Sequence, residues 1–167
     1  MPLLINRQPA ADRWTLIQPQ EGETLEALAT GVDALLVPIE QLDAAAALNP
    51  AALGVQINGD HSVAQLQPWL ARVTLIAVEF PVFRDGRGYS LARQIRRLGY
   101  EGELRAVGNV GRDQLGYMER CGFNAFSLAD DRYSPDTLKA FSEISVRYQG
   151  AADDPRPVYR QHSESTV

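Results

Sequence analysis

Residues 74–107 read TLIAVEFPVFRDGRGYSLARQIRRLGYEGELRAV, and this stretch decides the fold class. It opens on an apolar run of strand length and passes through a loop containing Pro and Gly. It then enters a segment of helical period and returns to a second apolar run. Leu91, Ile95 and Leu98 fall on one helical face, with Arg93, Arg96 and Arg97 opposite. Two parallel strands need a crossover of this length, so the stretch predicts a parallel βαβ unit.

Outward from there the alternation repeats. Apolar cores at residues 34–38, 53–57, 74–78, 104–107 and 125–128 are followed by helical patterns over 42–48, 62–71, 90–98, 112–121 and 135–147. Gly122 stops the fourth helix. Ser134, Pro135 and Asp136 mark the start of the fifth as a cap, a first helical residue and a dipole partner. About five parallel strands alternating with helices predict a single α/β domain over residues 1–148, built as an open doubly wound sheet. A partial TIM-barrel-like arrangement is the alternative, because residues 104–128 look like one strand–loop–helix–strand module of such a barrel. Within residues 1–31, the runs 3–6 and 14–18, separated by Pro9 and Asp12, predict an N-terminal β-hairpin. Residues 22–31 predict a short helix ending at Gly31. Residues 149–167, rich in Pro, Asp and Ser without a period, predict a mobile tail or an extended arm.

With 167 residues, 45% hydrophobic and 22% charged, the chain has material for one domain with a real core. The longest apolar stretch, residues 73–83, is broken by Glu79 and Pro81 and is too short to cross a bilayer. No signal-peptide pattern opens the chain, and the single cysteine, Cys121, permits neither an internal disulfide nor a CxxC pair. A cytoplasmic location is expected, with no membrane partner. The net charge of −5 argues against nucleic acid as a partner. Charge is unevenly placed, however: residues 84–120 hold eight arginines against five acids.

Ligands of open parallel sheets bind beyond the carboxyl ends of the strands. The loops at that edge are residues 38–41, 58–61, 79–88, 108–113 and 129–132. The third contains FRDGRGYS: Arg84, Asp85, Gly86, Arg87, Gly88, Tyr89 and Ser90. A glycine-containing turn entering a helix presents backbone N–H groups to an anion, and two arginines beside it can clamp a small oxyanion. The other reading is an ordinary Asp-Gly turn whose arginines pair with nearby acids. Asp60 and His61 form a second candidate, as an acid–base pair or as part of a helix cap. Asn109, Asp113 and Gln114 are further candidates at the same edge. Arg93, Arg96 and Arg97 read as a solvated helix face or as a dock for an acidic partner. Cys121 reads as structural, and His162 as a bystander in the tail. No nucleotide-binding, P-loop, zinc-protease or serine-hydrolase motif is present. Two histidines and one cysteine do not make a typical metal site. No cofactor and no metal are expected, and the oligomeric state is not legible.

The combination FPVFRDGRGYS at 80–90, GELRA at 102–106, DQL at 113–115 and GF at 122–123 resembles an uncharacterised bacterial family. That family carries domain of unknown function 934 and is encoded beside assimilatory sulfite reductase. The resemblance covers roughly residues 30–130. It implies a part in sulfite reduction, and the family is often labelled an oxidoreductase. The family supplies no catalytic residues to carry over, and the residues here show no site for storing electrons. The expectation is therefore an accessory protein acting with a sirohaem-type sulfite reductase polypeptide. The alternatives are an enzyme on a small anionic or phosphorylated substrate at the strand-edge loops, and a structural adaptor.

Overall fold

The computed structural model describes residues 2–161; of the expected tail, residues 162–167, with His162, lie outside the described residues. In chain order the elements are β1 (Leu3–Ile5), β2 (Gln8–Ala10), β3 (Thr15–Leu16), α1 (Leu25–Leu28), β4 (Ala34–Pro38), α2 (Leu42–Ala47) and β5 (Ala52–Ile57). Then follow α3 (Val63–Leu66), β6 (Leu75–Phe80), α4 (Arg87–Arg97), β7 (Glu103–Gly108), α5 (Leu115–Cys121), β8 (Ala125–Ser127) and α6 (Val158–Gln161).

The strands form one eight-stranded mixed sheet in the order β2-β1-β8-β7-β6-β5-β4-β3. From β3 to β8 each strand lies parallel beside its predecessor. β1 closes antiparallel onto β8. The α/β class therefore stands, but the doubly wound arrangement and the count of five parallel strands do not. A doubly wound sheet reverses its strand order midway, and this one never turns back. Its sequential order is that of the partial-barrel alternative.

Right-handed crossovers repeated in one direction put every helix on the same face. The core confirms this by residue parity. Leu35, Val37, Val55, Ile57, Ile76, Val78, Leu104, Ala106 and Phe126 from the strands share one buried cluster with Leu42, Leu66, Leu91, Ile95, Leu115 and Met118 from the helices. The opposite parity faces away from the helices and holds a small cluster of Ala34, Leu36, Leu75 and Ala77 under Trp14.

That second face is the concave one, and the link between β2 and β3 requires it to be. Eight strands about 4.8 Å apart would make a flat sheet roughly 34 Å wide. Ala10 and Thr15 end and begin strands on opposite edges, yet five Cα steps reach at most about 18 Å. The edges must curl toward each other, with residues 11–14 strapped across the hollow. Asp12 in the strap pairs with Arg105 of β7 at 2.8 Å, and the Trp14 ring lies over Gly54 of β5.

Several boundaries differ from expectation. The hairpin pairs residues 3–5 with 8–10 rather than with 14–18, because Asn6 and Arg7 (φ 50° and 65°) make a two-residue turn with both residues left-handed. Thr15–Leu16 is released to the far edge as a parallel strand. The helix expected over 135–147 is a 3-10 run, Pro135–Phe141, and residues 142–149 follow as a turn and irregular chain. Finally, α4 begins at Arg87 instead of Ser90.

Candidate functional site

The early start of α4 changes what the FRDGRGYS segment can do. Asp85 accepts a hydrogen bond from the Arg87 backbone N–H at 3.1 Å, so its carboxylate occupies the helix N-terminus. The same carboxylate takes Arg87 Nε at 2.9 Å and Nη2 at 2.7 Å, and Asp60 takes Nη1 at 2.5 Å. Side-chain hydrogen bonding to Arg87, then the backbone N–H, pulls the Asp85 pKa down to about 2. The pairing raises that of Arg87 in turn. An anion expected from outside is thus supplied by the chain itself.

The glycines of the segment serve packing. A Cβ on Gly88 would lie 2.6 Å from the Phe80 ring, so the missing side chain lets α4 settle on β6. Gly86 has open space around it and an ordinary φ of −82°. The half-buried Tyr89 ring meets Phe80 edge-on at 5.4 Å, and burial raises its hydroxyl pKa. Ser90 is exposed. Arg84 is exposed and makes no hydrogen bond or ion pair among the described residues.

Asp60 and His61 do not form a dyad. The Asn58 N–H donates to His61 Nδ1 at 3.1 Å, which makes that nitrogen the acceptor. Nε2 must then carry the proton, and it points to Glu40 at 3.0 Å. Both ring nitrogens are thus engaged by groups other than Asp60. The bond from His61 lowers the Glu40 pKa. Asp60 turns instead toward Arg87, which lies so close over Gly59 that a Cβ there would be 2.5 Å from its Nε. Ser62 and Gln65 form the capping box of α3.

The remaining candidates divide. Asn109 lines the mouth of the curled sheet, where its Oδ1 accepts from Arg132 Nη1 at 2.5 Å. Glu79, Asn109, Asp131 and Arg132 border an open cavity of about 390 Å³ beyond the carboxyl ends of β6, β7 and β8. Glu79 faces the hollow and accepts from Gln56 Nε2 at 3.2 Å. Gly108 (φ 86°) forms part of the floor, where a Cβ would strike the Phe80 carbonyl oxygen at 2.6 Å. Gln114 is a buried staple: it accepts from the Gly111 N–H at 3.0 Å and donates to the Phe83 carbonyl at 3.1 Å. Asp113 is exposed on the convex side, beside a different groove. This arrangement can hold a small polar molecule through a carboxylate, an amide and a guanidinium.

Two features were not anticipated from the residues. One is the strap, where Arg105, 3% exposed, is held by Asp12 and by Glu103 at 2.7 Å. The other is an apolar groove of about 400 Å³ between α5 and residues 140–149, bordered by Tyr117, Ile144, Val146 and Tyr148. The alternation of Ile144, Val146 and Tyr148 is a strand signal that a helical reading of this segment overlooked. Cys121 is half-buried, and burial pushes its thiol pKa up. Among the described residues, no three of His, Cys, Asp and Glu gather as a metal site. No helix among them is long and apolar enough to cross a membrane.

Fold and site together define an α/β domain with a sequentially wound, curled mixed sheet, a polar mouth and one strapped face. Residues 54–159 match the model of a family described as bacterial protein of unknown function (DUF934), and the chain belongs to that family. The match begins inside β5 and runs into α6, so it includes the mouth and the convex groove. No curated protein matches the chain.

Proposed function

We propose that the protein is an accessory factor of assimilatory sulfite reduction that acts by binding a sulfite reductase polypeptide. The observation that supports docking is the exposed, irregular segment at residues 144–149. Ile144, Val146 and Tyr148 all point outward, Tyr148 at 80% exposure, while Arg147 turns inward toward Asp153. Among the described residues, no backbone N–H of 144–149 donates a hydrogen bond. A segment with open backbone N–H groups and alternating apolar side chains accepts a strand or an apolar ridge from another polypeptide. The pathway comes from the family resemblance in the sequence.

The test is capture of the sulfite reductase polypeptide by tagged protein from sulfate-grown cells. Ile144→Asp/Tyr148→Asp is expected to abolish capture while leaving melting unchanged, since exposed substitutions alter stability by about ±0.5 kcal/mol. Capture undiminished by the double variant overturns the docking surface. A deletion strain that grows on sulfate without added cysteine overturns the pathway. A second reading, an enzyme on a small polar substrate at the mouth, is supported by Glu79 and Arg132 bordering one cavity. Normal growth on sulfate of a Glu79→Gln strain removes it.

A further inference from the structure

A cluster of arginines without ion-pair partners lies at the opposite end of the sheet from the mouth. A cavity of about 530 Å³ opens where the C-terminal half of α4 meets the hairpin turn and the α5–β8 connection. Four guanidinium groups line it, from Arg7, Arg93, Arg96 and Arg97, against the carboxylates of Glu119 and Asp153. Both carboxylates are already committed. Glu119 is forked on Arg7 at 2.7 and 2.9 Å, and Asp153 sits between Arg120 and Arg147 at 3.7 and 3.6 Å.

The three arginines in the C-terminal half of α4, Arg93, Arg96 and Arg97, have no acid within ion-pair distance among the described residues. Arg96 is half-buried and donates only to neutral carbonyls, those of Gly122 at 2.8 Å, Tyr100 at 2.6 Å and Gly102 at 3.0 Å. Burial accordingly pulls its pKa down. Its stem is fixed against Gly122, where a Cβ would lie 2.5 Å from Arg96 Cγ. Arg93 and Arg97 make no hydrogen bond or ion pair among the described residues. Like charges at this helical spacing repel each other, and a half-buried charge without a counterion is costly.

We infer that this cavity binds a small molecule bearing a sulfate or phosphate group. A doubly charged oxyanion removes the repulsion and takes charge-assisted hydrogen bonds from the free guanidinium groups of Arg93 and Arg97. The cavity falls in the range of roughly 300–1,000 Å³ usual for small-molecule sites, with room for the body of an ester beside its anionic group. Asn6, on the left-handed hairpin turn, lines the cavity and contributes a neutral amide. The FRDGRGYS segment offers no comparable site, because Asp85 and Asp60 already neutralise Arg87.

The experiment is titration of the full chain with sodium sulfate, sodium phosphate and AMP, each against sodium chloride at equal ionic strength, followed by calorimetry and backbone amide shifts. Saturable binding is expected, with shifts at Arg93, Arg97 and Gly122. Tighter binding of AMP identifies an ester as the ligand type, and equal binding identifies the free oxyanion. Arg93→Gln/Arg97→Gln should weaken binding at least tenfold, since each charge-assisted hydrogen bond contributes on that scale, and Arg84→Gln should leave it unchanged. No saturable binding of any probe above the chloride control overturns the inference. So do shifts confined to other residues, full binding by the double variant, or equal loss in Arg84→Gln. The amide shifts of the unaltered chain decide the matter even if the double variant fails to fold.

Discussion

The strap across the concave face rests on a missing side chain at Gly54, and replacing that residue measures the strap directly. A Cβ at position 54 would sit 2.9 Å from Trp14 Cζ3, 3.2 Å from Leu36 Cδ1 and 3.2 Å from Leu75 Cβ. Ordinary contacts are near 3.5–4.0 Å, so the indole must retreat by about half an ångström or more. It has little freedom to do so, because Trp14 is 9% exposed and belongs to the strap that Asp12 anchors on Arg105. Overpacking of this kind costs about 1–3 kcal/mol. For a chain of this length, that lowers the melting temperature by roughly 3–10 °C. In a Trp14→Leu background only the 3.2 Å contacts with Leu36 and Leu75 remain, and Gly54→Ala should cost about 1 kcal/mol less than in the parent. The double-mutant cycle is therefore expected to show a coupling of about 1 kcal/mol or more. Urea denaturation of the four proteins supplies the numbers. Additive effects of the two substitutions, or a Gly54→Ala protein as stable as the parent, would refute the placement of Trp14 over β5 and with it the closure of the curled face.

Two further outcomes follow from the same geometry. The Asp85 carboxyl should titrate near pH 2, below its ordinary 3.8. Its pairing with Arg87 then adds stability above about pH 4, lost as the pH falls toward 2. Carboxyl-carbon NMR checks this, with the midpoint expected to rise toward 4 in Arg87→Gln; an unshifted midpoint in the parent protein refutes it. Cys121, its thiol pKa raised by burial, should react with a thiol reagent at pH 8 more slowly than an unstructured peptide thiol, and at the peptide rate only in denaturant. Equal rates in the folded state would show that the thiol is open to solvent.

The apolar strand cores were legible because each is a local run: Ala34–Pro38 matches its expected bounds, and the others lie within a few residues of theirs. Burial of central parallel strands leaves that signature whatever their neighbours are. The Gly122 stop of α5 was legible for the same reason, since its left-handed φ of 117° is a property of one residue. Half-legible was the asymmetry of the two faces. Gln56, Glu79, Glu103, Arg105 and Ser127 all share the parity that turns away from the helices, whereas a doubly wound sheet needs apolar side chains on both faces. The candidate site was legible as a set of loops, but not as a set of free groups. Asp85 and Asp60 lie 25 residues apart in sequence and meet on one arginine only because β5 and β6 are neighbours. Strand order, curl and strap were decided by tertiary structure alone. Each depends on which distant surfaces fit together, and a crossover helix of given length serves equally well whether the next strand continues the sheet or doubles back.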